Sequence, residues 1–551
     1  MNSVRRVMVA AAVLAITTAA AAPSSGAPDT ISPKRLSAYV KVLGSNAFEG
    51  RRPGTPGGQK TVKYIVKQFK ALGLEPGGEN GTWFQNVPVT VQRLSGIPSM
   101  HVMVGGRRYD LMGGQDAIVL PRSRLAHVKI VNAPIVFVGY GVHRPARGWN
   151  DFSGIDVRGK IIIELRGAPK KGPSSDDYDA YASIRAKDRQ AVEQGAAGML
   201  TIGGDERHPW FVELQRGHWP AIEVQPKPGD PAVTPPLTGE IRRAALEELL
   251  RRAGYNLAQL EKDAATPGFH ARGIAGISLS VDYRMTRKVV HTPSVIARIS
   301  GKSHPDQVVI YSAHWDHLGR GRRNDYIGRN VNEPPSDDDI YNGAVDNGSG
   351  VACILEIARA FKAGPRPDRS VEFIAFTEEE PGLLGSQYYV RHPIYPLEKT
   401  VADFTIDTVP LAPIDTISVI GGGKTDLEDI LGKVVAEEGL SLLTGEKTGN
   451  YYRRSDHYEF AKAGVPVLML GGRRSGQGAE QTVPPSTIAF DKSYMPGRYH
   501  HVVDEWSPKW DFRGAAQIAS ALYGVGRELA FSETWPAWKP GVRFKHLHHK
   551  R

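Results

Sequence analysis

Apolar and polar positions follow three different rhythms along this chain. Between Ser32 and Leu74 they predict two helical segments around a loop. The second segment is the clearer, with Val62, Ile65, Val66, Phe69 and Leu72 at three- and four-residue spacings and Gly73 as a stop. The loop between them, GRRPGTPGGQ at 50–59, is rich in glycine and proline. From about Ala133 the rhythm shortens to apolar runs bounded by glycines. IVFVGYG (135–141) and the end of DFSGIDVRGKIIIEL (151–165) read as strands, and AKDRQAVEQGAAGMLTIGG (186–204) as a helix leading into a strand. From Val289 onward the runs are of buried-strand type: VVIYS (308–312), VEFIAF (371–376), ADFTID (402–407) and VPVLML (465–470). VACILEIARAF (351–361) has helical spacing and lies between the first two. Strand, helix, strand in that order predicts an α/β fold with a mostly parallel central sheet flanked by helices.

Composition narrows the class. With 41% hydrophobic and 23% charged residues in 551, the chain reads as globular, with enough length for two or three packed domains. Its one cysteine, Cys353, excludes an intramolecular disulfide and any cysteine-built zinc or iron–sulfur site. That cysteine falls on the apolar face of a helix and reads as core. Arg5 and Arg6 precede an apolar run from Val7 to Ile16, with small residues through Ala22, which predicts a signal peptide over 1–22 and export to a bacterial periplasm or the medium. No other run approaches eighteen apolar residues, so no stable membrane anchor is expected after cleavage. Of the net charge of +11, two come from Arg5 and Arg6 and five from Lys539, Arg543, Lys545, Lys550 and Arg551, leaving +4 and no case for nucleic acid.

Ligands of such sheets bind beyond the carboxyl ends of the strands, so the residues after each strand carry the chemistry. VVIYS is followed by AHWDHLG, with His314, Asp316 and His317. The helix from Val351 is preceded by NGAVDNGSG, with Asp346, and VEFIAF is followed by TEEEPGLLGS, with Glu378, Glu379 and Glu380. ADFTI delivers Asp407, and GRYHHVVDEW brings Tyr499, His500, His501 and Asp504. Histidines and carboxylates without cysteine suit a hydrolytic Zn²⁺ or Mn²⁺ centre.

H-x-D, G-A-x-D-N-x-S-G, E-E-x-G-L-x-G-S, a strand-end Asp and Y-H, in that order, resemble the M28 family of dinuclear zinc exopeptidases over roughly 286–530. The helices at 32–74 look like that family's part before an insert. VFVGYG, GKIII and GAAGML over 133–285 resemble the protease-associated domain, a β-rich module. The expected division is therefore a leader at 1–22, an N-terminal part of the peptidase at 29–132, the insert at 133–285, the catalytic domain at 286–530 and a basic tail at 531–551.

The resemblance implies two Zn²⁺ ions, one held by His314 and Asp407 and the other by Glu380 and His500, with Asp346 bridging. The Glu-Glu-x-Gly spacing to Gly382 makes Glu379 the general base and Glu378 a bystander. The interval from Asp504 selects His500 over His501. Asp316 is expected to hold the second N–H of His314 through its carboxylate. Tyr499 is expected either to donate to an oxyanion or simply to pack, and Asp456 in SDHYEF resembles a substrate-pocket position. One departure stands out. The strand-end aspartate commonly sits in a stretch like Asn-x-Asp-Met, and here it sits in Thr405-Ile406-Asp407-Thr408. The SDDD run at 336–339 and the HLHHKR end read as solvated.

The implied activity is hydrolysis of residues from peptide N-termini. The competing readings are a carboxypeptidase of the same fold, a transferase relative that cyclises N-terminal glutamine, and a peptide-binding relative without catalysis. No G-x-S-x-G or H-E-x-x-H supports a serine hydrolase or a gluzincin.

Overall fold

The computed structural model describes residues 31–169, 181–204, 210, 220–321, 338–444, 451–473, 494–545 and 547. The expected leader, Ser336 and Asp337 lie outside them, as does most of the HLHHKR end.

The strands expected after Val289 form, and their ladder is parallel at the centre. His304–His314 lies between Arg369–Phe376 and Thr400–Thr405, and Thr400–Thr405 pairs in turn with Val467–Arg473, all in parallel. Helix Gly348–Ala363 crosses between the first two, capped by the Asn347 side chain on the Gly350 N–H. It is apolar almost all round because helices Pro33–Leu43 and Arg513–Ala530 cover it from outside. Cys353 sits inside that packing, fully buried, as core. Helix Pro56–Ala71, with Thr55 as its cap, packs its Ile65 and Phe69 on the same core.

A second core contains Met100, Val119, Ile135, Ile163, Leu200 and Leu279, so it reaches back well upstream of Ala133, where the insert was expected to begin. Its strands His127–Phe137, Ile161–Glu164, Gly198–Gly203 and Leu237–Arg242 are parallel to one another, and helix Ile184–Glu193 leads into the third.

Two long strands join the bodies. Phe84–Val104 runs antiparallel to Arg272–Ile299, from Phe84 opposite Val295 to Val104 opposite Ile277. The register shifts between Asp282 and Arg284, opposite the segment from Ser95 to Ser99. Arg272–Ile299 also pairs with Arg369–Phe376 at one end and His127–Phe137 at the other, which merges both bodies into one sheet. The boundary expected at 286 therefore falls inside a continuous strand.

The chain after 530, expected as a basic tail, is anchored as far as Phe544. Trp538 and Phe544 are buried against Tyr452 and Tyr458, and the Trp538 indole N–H donates to the Gly464 carbonyl. Burying two aromatic rings outweighs the solvation of the neighbouring lysines and arginines. Among the described residues no helix is long and apolar enough to cross a membrane.

Candidate metal centre

Each expected ligand stands where a strand or helix ends, so the sheet edge gathers side chains that are far apart in sequence. His314 is the last residue of its strand and is 1% exposed. Asp346 precedes the capped helix, Glu379 and Glu380 follow Arg369–Phe376, and Asp407 follows Thr400–Thr405. His500 arrives from a turn in which its own φ is +59°.

The geometry divides these groups around one carboxylate. His314 Nε2 lies 3.2 Å from Asp346 Oδ1 and 3.5 Å from Asp407 Oδ1. His500 Nε2 lies 3.1 Å from Asp346 Oδ2 and 3.1 Å from Glu380 Oε2. Asp346 thus offers one oxygen to each side. His314, Asp346 and Asp407 form one donor group, and His317, Asp346, Glu380 and His500 a second, with the donor atoms of each within 4.8 Å of one another. Donors about 2.1 Å from a tetrahedral zinc ion stand about 3.4 Å apart, close to these separations. His314 Nε2, His500 Nε2 and Asp407 Oδ1 are buried and have no hydrogen-bond partner. Buried polar atoms left unpaired at the convergence of histidines and carboxylates are what a divalent cation would satisfy, so the residues fit one.

The electrostatics agree. Burial alone would lower the imidazole pKa values, yet the carboxylates around His314 raise it well above the usual range, and Glu380 and Asp346 push His500 up to about 10. Against burial that would raise it, His500 and His317 hold Glu380 down to about 2. Protons on His314 and His500 compete with a divalent cation for the same carboxylates, whereas burial lowers the pKa of His317.

Glu379 forms a third, overlapping set of donors with His314 and Glu380, its Oε2 4.0 Å from His314 Nε2. Burial, with further help from Glu380, Asp407 and Asp456, raises its pKa well above that of an ordinary carboxylate, although His314 opposes the shift. A carboxylate whose proton affinity has been raised is suited to accept and return a proton near neutral pH.

Asp316 does a different job from the one expected. His314 Nδ1 is 3.1 Å from the Asp316 backbone carbonyl and 3.8 Å from its carboxylate. The carboxylate instead accepts the backbone N–H groups of Glu379 (3.1 Å) and Glu380 (3.4 Å). It fixes the turn that presents both glutamates. Glu378, at φ +55°, belongs to neither donor group and is pushed up to about 8 by burial.

Asp504 accepts the N–H groups of Val345 and Asp346 and so orients the bridging residue. His501 is buried but lies outside both groups. Tyr499 stacks on the His500 ring at 3.8 Å, and its hydroxyl accepts from Arg454 at 3.1 Å. Asp456 is fully buried, accepts from Ser386 Oγ at 2.5 Å and is pushed up to about 8 by burial. At the Thr405 departure, the hydroxyl turns under the site and donates to Asp403 at 2.8 Å, away from the ligands.

Two residues with no role assigned from sequence belong to the site. His317 Nδ1 is 2.6 Å from Glu380 Oε1 and its ring is fully buried. The signal was present in AHWDH, whose two histidines are three apart. Arg51, 1% exposed, comes from the loop at 50–59. Its guanidinium donates to the carbonyls of Trp315 (2.9 Å), Leu43 (3.0 Å), Asn342 (2.5 Å), Gly343 (2.9 Å) and Asp346 (3.2 Å). It ties the His314 loop to the Asp346 loop. Gly343 must be glycine for this, because at φ +55° a Cβ would run into the Asp346 carbonyl and the His317 ring.

Residues 294–523 match the sequence profile of peptidase family M28. The chain is 33% identical over 131 residues to aminopeptidase YwaD of Bacillus subtilis (strain 168), a stretch that is 22% of this chain and 27% of that protein. It is 22% identical over 445 residues to the probable glutamate carboxypeptidase AMP1 of Arabidopsis thaliana, covering 75% of this chain and 56% of that one. The chain thus spans between about a quarter and just over half the length of these curated relatives. Among solved structures, an aminopeptidase from Aneurinibacillus sp. strain AM-1 superposes with a TM-score of 0.53 at 19% identity, over 94% of this chain and 98% of that one, a likeness of fold.

Proposed function

We propose that this chain is an exported metal-dependent exopeptidase that removes residues from peptide N-termini through two zinc ions bridged by Asp346. One observation carries the proposal: two groups of converging donors share the two oxygens of one buried carboxylate, with Glu379 alongside. Bound there, the ions would polarise the scissile carbonyl and acidify a water. His314 and Asp407 would hold one, and Glu380 and His500 the other, with His317 against Glu380. Glu379 takes the proton of the attacking water and returns it to the leaving amine. Asp316 keeps Glu379 and Glu380 in register through their backbone N–H groups. The Tyr499 hydroxyl, held by Arg454, has its own proton free to donate to the developing oxyanion.

Carboxypeptidase activity is the second reading, and the observation that favours it is Arg454. Its exposed guanidinium beside Tyr499 suits a substrate α-carboxylate. A peptide with a free N-terminus and its N-acetylated twin, each tested with chelator and after zinc restoration, separate the two. Cleavage of the free peptide alone, lost with chelator and regained with zinc, is the expected result. Release of C-terminal residues from both would replace aminopeptidase by carboxypeptidase. Turnover of neither, with zinc loaded, would sink the enzymatic reading.

A further inference from the structure

Beyond the end of strand Arg369–Phe376, the long strand pair continues and walls a cleft of about 460 Å³, within the usual range for ligand pockets of about 300–1,000 Å³. Its floor is apolar, made by Val91, Ile222 and Val290, with Ile222 opposite Val91 in the ladder. Its rim is cationic. Arg93 and Lys288 stand exposed on the two strands, Arg52 comes from the loop at 50–59, and Arg320 from the segment after His314.

The carboxylates nearby account for only part of this charge. Arg320 pairs with Asp339 at 3.0 Å and also feels Glu49. Arg52 faces Glu378. Arg93 and Lys288 make no ion pair among the described residues. A concave surface with an apolar floor and two cations that have no carboxylate partner among the described residues attracts an anionic, partly apolar chain.

The cleft also adjoins the chemistry, because Glu378 lines it and Glu379 is the next residue. We infer that Arg93 and Lys288 bind carboxylates of an acidic substrate segment, side-chain or terminal, away from the bond that is cut. The inference rests on the peptidase reading above and names the substrate class that this reading leaves open.

The test uses a double charge reversal, Arg93→Glu with Lys288→Glu, in the zinc-loaded full chain. A control reversal, Lys129→Glu with Arg107→Glu, changes net charge equally on the exposed far side of the insert. The substrates are peptides with two downstream Glu residues and their Gln twins. Wild type should prefer the Glu peptide in kcat/KM by about tenfold, as two partly exposed ion pairs allow, and should lose that preference in high salt. The cleft variant should lose the preference while cleaving the Gln twin normally, and the control should keep it. Equal cleavage of the twins by wild type, or equal loss in cleft and control variants, would overturn the inference.

Binding of the fluorescein-labelled Glu and Gln peptides to Glu379→Gln protein, by anisotropy, reads the cleft independently of turnover. Selective binding of the Glu peptide, abolished by the cleft reversal, would support the cleft even if no peptide were hydrolysed. No selectivity in binding would refute it even if peptides were cleaved.

Discussion

Lys187 in the insert and His500 in the catalytic body are both buried cations, and their surroundings differ. Lys187 lies 3.6 Å from Glu164 and donates to the Leu165 carbonyl, while Glu164 accepts from Thr201 at 3.1 Å. Nearby, Arg166 pairs with Glu240 at 2.8 Å and Arg122 with Asp188 at 2.5 Å. Each cation there has its own anion. Around the candidate metal centre, carboxylates outnumber histidines and their donor atoms converge within 4.8 Å of one another; buried oxygens without a hydrogen bond occur in both places, Asp188 and Glu240 included, so this convergence is what sets the centre apart. Desolvation pushes Lys187 and Glu164 each toward its neutral form, whereas the carboxylates drive His500 toward its charged form. Buried charge that closes on itself supports a fold. Buried charge left open, with donors converging, marks a place for a cation.

The comparison can be broken most sharply at the centre itself. Glu379→Gln should lower kcat by about 10²–10⁴-fold and leave the zinc content of the dialysed protein unchanged. Asp346→Asn should lose the zinc as well, because it removes an oxygen shared by both donor groups. Elemental analysis beside steady-state rates distinguishes the two, and zinc loss in Glu379→Gln would move that residue into the ligand set.

In the insert the effect should fall on stability. Lys187→Met strands Glu164 without its cation and should destabilise the protein by about 3–5 kcal/mol in urea unfolding. The folded variant should keep its zinc and its kcat/KM. A drop in zinc content would mean that the insert's ion pairs and the centre are one system.

A smaller effect comes from an imidazole inside the catalytic body that has no carboxylate companion. His457 is fully buried with neither ring nitrogen bonded, and burial depresses its pKa to about 3, opposite to His500. Between pH 3 and about 6.5 the unfolded chain binds a proton there that the folded chain refuses, so stability rises with pH across that window and is lost as pH falls. From pH 7 to pH 5 this one group should cost about 2 kcal/mol. His457→Asn should remove that part of the acid sensitivity. An unchanged difference between the two pH values in the variant would show that His457 is not the source.

The strands after Val289 and their terminal groups were legible because His314, Glu379, Glu380 and Asp407 come at or just after the ends of apolar runs and Asp346 just before one, whereas His500 was read from its Tyr-His sequence and the interval to Asp504. Arg51 was hidden because its partners are backbone carbonyls, which leave no trace in residue type. Its loop reads as glycine and proline, and nothing there announces a buried guanidinium. Asp316 misled because a carboxylate two residues from a histidine is close in sequence, whereas the turn brings the N–H groups of Glu379 and Glu380 closer in space. The strand Phe84–Val104 was obscured by Gly96 and Pro98. Both fall between Ser95 and Ser99, where the ladder to Asp282 and Arg284 is already out of register and can hold residues that break strands.

That same irregularity gives the molecule a mechanical character. An antiparallel ladder resists bending because flexing it strains many hydrogen bonds at once, so the long pair acts as a beam between the two bodies. Its break in register at Asp282–Arg284 is splinted on the other edge, where Asp282, Tyr283 and Arg284 pair with Lys129, Val128 and His127. The pair is therefore stiff along its length and carries load to Thr292. The Thr292 hydroxyl lies 2.7 Å from that of Thr377, directly before the three glutamates. A force applied to the insert is therefore delivered to the loop that holds Glu379.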